Sequence, residues 1–198
     1  MDFLRLVIVA VIGYLMGSAN SSIIVGKFYG TDVRNHGSGN AGATNTLRTL
    51  GKSAAALVGV GDVLKGVVAC IIGSYLAGDI GLMVGGLTAI VGHNWPVYFN
   101  FKGGKGIFTS FAVVLMMDYR LGLILLGIFA IVVLTTRYVS LSSVTASVLF
   151  PVIAVFEGKN TSFIVFATLL AALAVFRHRS NLKRLIEGTE SKFGKKKN

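Results

Sequence analysis

Seven apolar runs, at 3–26, 54–78, 80–99, 106–117, 121–136, 141–157 and 162–177, occupy most of this 198-residue chain and leave it few possible folds. Inside a bilayer only helices and closed barrels satisfy all their own backbone polar groups. Barrel strands alternate apolar and polar positions over about ten residues, and these runs do not. The expected fold is therefore all-α, a polytopic integral membrane helix bundle of about seven transmembrane helices. The runs at 106–117 and 121–136 fall short of the ~20 residues that cross a bilayer upright. Six crossings with one re-entrant segment is the alternative. The length predicts a single domain, 1–198, with a tail from about 178.

Lysine and arginine set the orientation. With the N-terminus outside, one side receives the loops bearing Lys27, Arg34, Arg48, Lys52, Lys102, Lys105 and Arg137, together with the basic tail that ends in Lys195–Lys197. The other side receives only Arg5, Arg120 and Lys159. The C-terminus is thus expected in the cytoplasm. The net charge of +11 lies mostly on that face, where it attracts anionic lipid heads. No basic patch interleaved with aromatics lies outside the membrane, so no nucleic acid is expected as a partner. Cys70, the one cysteine, sits within an apolar run and excludes a disulfide framework. His36, His93 and His178 lack metal-ligand spacing, so no metal and no cofactor are expected.

The outer loops are short and plain, and the inner ones are rich in chemistry. The run from Arg34 to Arg48 (RNHGSGNAGATNTLR) carries glycines at 37, 39 and 42 among hydroxyl and amide side chains. Such a set suits a ligand rich in oxygen and negative charge, most plainly a phosphate. Ser38, Asn40, Gly42, Thr44, Asn45 and Arg48 are its candidate ligands. Residues 37–42 match GxGxxG, but no strand precedes them and no βαβ unit surrounds them, so a dinucleotide site is excluded. Gly51-Lys-Ser53 lacks the earlier glycine of a Walker A loop. On the next inner segment, Gly103, Gly104 and Gly106 surround Lys105, a second arrangement that lets backbone approach a phosphate beside an ammonium.

Two further inner segments carry candidates. Ser142 and Ser143 follow Arg137, and read either as site hydroxyls or as helix-end hydroxyls. His178 and Asn181 lie among Arg177, Arg179 and Arg184, where a histidine serves as a base or a phosphate ligand. Within the runs, Gly13 and Gly17 form a small-xxx-small pair that predicts close helix packing. Asp62 and Lys65 share a helical face. Each alone costs ~2.5–3.5 kcal/mol near the bilayer centre, so they are expected to pair or to face a polar interior, as a structural pair or a site-shaping one.

Taken together, Gly17-Ser-Ala-Asn-Ser-Ser-Ile, the Gly37–Arg48 segment, Gly61-Asp-Val-Leu-Lys-Gly66, Gly92-His-Asn-Trp-Pro with Gly103–Gly106, and Arg177-His-Arg-Ser-Asn181 through Glu190 resemble the bacterial acyl-phosphate:glycerol-3-phosphate acyltransferases, the PlsY family. The resemblance runs nearly the full length. It implies a seven-helix inner-membrane enzyme with its active site facing the cytoplasm. That enzyme would move a fatty acyl group from acyl phosphate to the sn-1 hydroxyl of glycerol 3-phosphate, giving lysophosphatidate and inorganic phosphate, the first step of phospholipid synthesis. It also implies membrane lipid as surroundings and a functional link to the enzyme that supplies acyl phosphate. By that likeness Ser38, Arg48 and Lys105, with Gly103, Gly104 and Gly106, hold phosphate groups, while Ser143, His178 and Asn181 orient glycerol 3-phosphate. The base is His178 or a phosphate oxygen of the substrate. The His-x-x-x-x-Asp motif of other acyltransferases is missing, since Ala41, Tyr98 and Lys183 stand where its aspartate would.

The alternative is a transporter of a phosphorylated or anionic small molecule, which would use Asp62, Lys65 and the basic loops. It predicts polar residues reaching both faces, and the outer face carries almost none. A CDP-alcohol phosphotransferase would need clustered aspartates for metal, and the eight acidic residues are scattered.

Overall fold

The computed structural model of the protein describes residues 3–194, and Lys195–Lys197 of the basic tail lie outside the described residues. Among these the secondary structure is helical throughout, with no strand. The chain parts into two compact units, the first ending at Met117 and the second beginning at Asp118.

The first unit contains α1 (Phe3–Ser18), α2 (Ser21–Phe28), α3 (Ala43–Leu50), α4 (Lys52–Asn94) and α5 (Ile107–Met117). The run expected as one span at 3–26 is two helices. The first ends at Ser18, and Asn20 caps the second, its Oδ1 accepting the Ile23 N–H at 3.2 Å. The Arg34–Arg48 run is not all loop, because its second half winds into α3 behind Gly42.

The 43-residue α4 is a hairpin. Ala77 and Gly78 leave helical geometry, with Gly78 at φ +61°, and the two halves run back along each other. Gly73 and Gly81 meet backbone to backbone, and a Cβ on Gly85 would lie 2.5 Å from the Ala69 carbonyl oxygen. The halves correspond to the runs expected at 54–78 and 80–99. Gly13 and Gly17 of α1 bring that helix equally close to the second half. A Cβ on Gly13 would lie 2.6 Å from the Gly85 carbonyl oxygen, and one on Gly17 would overlap that of Ala89. The glycine pair is a packing device, as its spacing predicts.

The second unit holds α6 (Tyr119–Thr136), α7 (Val139–Phe156), α8 (Thr161–Arg177) and the short α9 (Arg179–Ile186), with α7 packed between α6 and α8. Side-chain caps start two of them: Asp118 accepts the N–H groups of Arg120 and Leu121, and Asn160 accepts that of Phe163. Lys159 holds the Asp118 carboxyl below its ordinary range through their hydrogen bond. Among the described residues, Phe3–Phe28, Lys52–Phe99, Tyr119–Thr136 and Val139–Phe156 are long and apolar enough to cross a bilayer, and α8 with α9, bent by 59°, makes a fifth stretch. Helix α5, at 11 residues, rises only about 16 Å against a hydrocarbon core of about 30 Å.

Candidate active site

In the first unit the polar run begins with an ion pair. Asp32 caps the 3₁₀ turn Val33–Asn35 and binds the Arg34 guanidinium at 2.7 Å. That hydrogen bond keeps the Asp32 carboxyl below the usual carboxylate range and raises Arg34 in turn. Gly37 and Gly39 follow at φ +59° and +69°, left-handed geometry that glycine adopts without penalty. The loop closes on Asn45 of α3, which is buried. Its Oδ1 accepts the Ser38 N–H at 2.9 Å, and its Nδ2 donates to the carbonyls of Val33 and His36. The Gly39 N–H is also used internally, on the His36 carbonyl. These two amides therefore shape the loop, and Asn45 acts as its internal brace. The Ser38 side chain is exposed, Asn40 and Thr44 are half-buried, Gly42 is buried at the start of α3, and Arg48 is exposed on that helix.

The second polar segment follows α4. A 3₁₀ turn at Val97–Phe99 leads to Asn100 and Phe101 at φ +55° and +58°, an arrangement uncommon for residues with side chains. Arg34 restrains it, because its Nη1 donates to the carbonyls of Phe99 (3.1 Å) and Lys102 (3.2 Å). The chain then delivers Gly103–Gly106 against the end of α4. The Gly104 N–H donates to the His93 carbonyl at 3.1 Å. A Cβ on Gly104 would overlap both the His93 Nε2 and the Ala41 carbonyl oxygen. The two glycine-rich segments thus meet at Ala41 and Gly104. Asn20 reaches both, its Nδ2 lying 3.4 Å from the Ala41 oxygen and 3.5 Å from that of His93. Lys105 is half-buried beside this junction. Asn94 is fully buried there too, and among the described residues neither atom of its carboxamide has a hydrogen-bond partner.

Beneath the junction lies the pair expected from Asp62 and Lys65. The Lys65 Nζ is 2.9 Å from the Asp62 Oδ1, and both are almost wholly buried. The contact is ionic rather than an aligned hydrogen bond, since Asp62 Oδ1 accepts no well-aligned donor among the described residues. The third member is His93, which lies too far along the chain for spacing to link it to the pair. Its Nδ1 lies 2.8 Å from the Lys65 Nζ and 3.3 Å from the Asp62 Oδ1. The carbonyls of Gly17 and Ala19, where α1 ends, complete the shell around the ammonium.

The second unit carries the remaining candidates. Ser142 and Ser143 are buried, and each donates to the carbonyl four residues back, on Tyr138 and Val139. These are the helix hydroxyl bonds that such residues often make. His178 is buried at the join of α8 and α9, with Nδ1 2.8 Å from the Ala174 carbonyl. A carbonyl only accepts, so Nδ1 carries the proton and Nε2 holds the lone pair of the neutral ring. Asn181 donates to Glu190 Oε1 at 2.6 Å. Ser140 reaches the same oxygen at 2.7 Å, and Arg184 reaches Oε2 at 2.7 Å. Burial pushes the Glu190 carboxyl up, but these three hydrogen bonds outweigh it and leave the group below its ordinary value. No role for Glu190 follows from its place in the sequence. Here it is the anchor that folds the tail back onto α7.

The sequence profile of a family described as glycerol-3-phosphate acyltransferase matches residues 7–188. The chain belongs to that family. Among similar proteins carrying that name, one from Thermoanaerobacter sp. (strain X514) is 51% identical over 191 residues, 96% of each chain. Another, from Clostridioides difficile (strain 630), is 43% identical over the full length of both. The solved structure of PlsY, an integral membrane glycerol 3-phosphate acyltransferase, in its glycerol 3-phosphate form matches this chain at a TM-score of 0.91 with 37% identity, covering 96% of each. Its lysophosphatidic acid form matches at 0.88 with 36% identity, covering 96% of this chain and 95% of that one. This acyltransferase is therefore a helical integral membrane enzyme of phospholipid biosynthesis. The Asp62–Lys65 pair that a transporter would have used is instead closed on His93 in the acyltransferase's interior.

Proposed function

We propose that this acyltransferase moves a fatty acyl group from acyl phosphate to the sn-1 hydroxyl of glycerol 3-phosphate, releasing lysophosphatidate and inorganic phosphate. It works at the cytoplasmic face of a bacterial inner membrane, with seven crossings, the N-terminus outside and the C-terminus inside. The observation that carries this reading is the meeting of two glycine-rich, cationic segments at Ala41 and Gly104. A phosphate on each substrate accounts for two such segments, and an acyl tail accounts for their place at the end of apolar helices. The glycerol 3-phosphate and lysophosphatidic acid forms of PlsY support the acceptor and product.

Acyl phosphate is already activated, and phosphate leaves readily. The enzyme then has to position the acceptor hydroxyl and stabilise charge at the carbonyl and the departing phosphate. Arg48 and Lys105 supply positive charge, and Ser38 and Thr44 hydroxyls and the Asn40 amide supply hydrogen bonds. Gly42, Gly103, Gly104 and Gly106 let backbone approach, and Asn45 braces the first segment. Ser142, Ser143 and Asn181 shape the region that orients glycerol 3-phosphate. The hydroxyl proton goes to His178 Nε2 or to a phosphate oxygen of the substrate. Loss of activity in His178→Ala that returns as pH rises supports the histidine as base, and a pH-independent loss supports a binding role.

The test of the reaction is purified protein in lipid with acyl phosphate and glycerol 3-phosphate, without metal or coenzyme A. Lysophosphatidate and phosphate are expected in equal amounts. Absence of both products in folded protein would sink the proposal.

A further inference from the structure

The buried cluster of Asp62, Lys65 and His93 takes no direct part in the reaction just described, yet it lies against both segments proposed to hold phosphate. Two charged groups and an imidazole in a helical interior need a reason to be there, since an apolar set of similar volume often folds as well. Their geometry supplies one. The Lys65 ammonium, paired with Asp62, has only donors to offer. His93 Nδ1 lies 2.8 Å from this ammonium and 3.3 Å from the Asp62 Oδ1, which accepts no aligned hydrogen bond, so the nearer donor makes Nδ1 the acceptor and places the ring proton on Nε2. That nitrogen faces the spot where a Gly104 Cβ would stand, beside the Ala41 carbonyl oxygen. The His93 carbonyl meanwhile takes the Gly104 N–H at 3.1 Å. Lys65 also binds the carbonyls of Gly17 and Ala19, immediately before Asn20, which reaches Ala41 and His93. One ammonium thus ties together the break between α1 and α2, the ring of His93 and, through it, the junction of the two segments.

We propose that Asp62, Lys65 and His93 form a positioning network that holds His93 as the neutral Nε2–H imidazole and so fixes Gly104, and with it Lys105, for the phosphate of one substrate. The inference rests on the phosphate role proposed above for Gly103–Gly106, and its experiment separates the two. None of the three residues touches substrate in this account. Removing the network therefore loosens the segment without removing a ligand, and the loss falls on the KM of the substrate which that segment holds.

The experiment measures KM for each substrate and kcat in four variants, with thermal unfolding of each. Lys105→Ala identifies which substrate the segment holds. Asp62→Leu with Lys65→Met removes both charges together, so no lone charge is left buried and the protein remains foldable. It is expected to raise the KM of that same substrate about tenfold and leave the other within twofold. Glutamine places an amide N–H near the position of an imidazole Nε2, so His93→Gln is expected to retain most of the affinity that His93→Leu loses. Normal KM values in the charge-free variant, or a fall in kcat alone that tracks the folded fraction, would overturn the positioning role. Equal losses in His93→Gln and His93→Leu would overturn the Nε2–H assignment. If Lys105→Ala itself leaves both KM values unchanged, the phosphate role of the segment fails first, independently of the network.

Discussion

The polar run from Arg34 to Arg48 and the tail from His178 to Glu190 each fix several polar side chains at the end of apolar helices, but with different chemistry. Beyond the Asp32–Arg34 ion pair at its start, the run is set by shape and neutral groups. Gly37 and Gly39 turn left-handed, and the Asn45 carboxamide ties Ser38, Val33 and His36 together. The tail is set by charge, with the Glu190 carboxylate gathering Ser140, Asn181 and Arg184. A steric device fails when an atom is added. An electrostatic one fails when a proton is added.

The largest expected effect tests the steric side. In Gly37→Ala the new Cβ meets the Asn45 Oδ1 at φ +59°. kcat/KM is expected to fall about 100-fold, equivalent to about 2.7 kcal/mol of barrier, with helix content by circular dichroism unchanged. Turnover within threefold of the parent would show that Asn45 and Gly37 do not govern the site. Next come Arg48→Ala and Lys105→Ala, each expected to lower kcat/KM at least about tenfold in folded protein, through loss of one charge-assisted contact. Near-normal activity in both would remove the phosphate assignment.

The electrostatic side is tested with acid. The folded pKa of Glu190 lies below the ordinary 4.5, so its contribution is whole above that pH and is lost as pH falls through the lower folded value. Hydrogen-exchange protection over residues 179–190 is expected to drop on acidification below about pH 4.5, while that of Ser38 and Gly39, whose acceptors do not ionise, persists. Glu190→Gln should remove this acid step, and a step that survives in Glu190→Gln assigns it elsewhere. The smallest effect is expected at Ser142→Ala. Its hydroxyl bond to Tyr138 is one that helices do without, so activity should stay within about twofold and a larger loss would give Ser142 a direct substrate contact.

Much of this was written in the sequence. The apolar runs from 54 to 177 appear as α4 to α8 nearly end for end, because apolar helices are specified by continuous runs that a linear reading captures. Gly13 and Gly17 also declared their role. The break at Asn20 did not, since an asparagine within an apolar run reads as an interruption until Ala41 and His93 are seen to receive its amide. Helix α3 was hidden for a similar reason: its threonines and asparagine have weak helix propensity, and Asn45 and Thr46 are held there by tertiary bonds. The bonds of Asn45 to Ser38, Val33 and His36 were equally hidden, since its place among candidate ligands rested on composition alone. His93 could not be linked to Asp62 and Lys65 by spacing, because the α4 turn brings them together across 28 residues.

That turn governs more than the bend at the tip of α4. With Gly73 and Gly81 touching backbone to backbone, no lipid fits between the arms of α4 near the tip. The arms are thereby held in one register, which sets Asp62 and Lys65 of the first opposite His93 of the second. A glycine pair far from the phosphate-binding segments thus decides which side chains meet in the enzyme's interior.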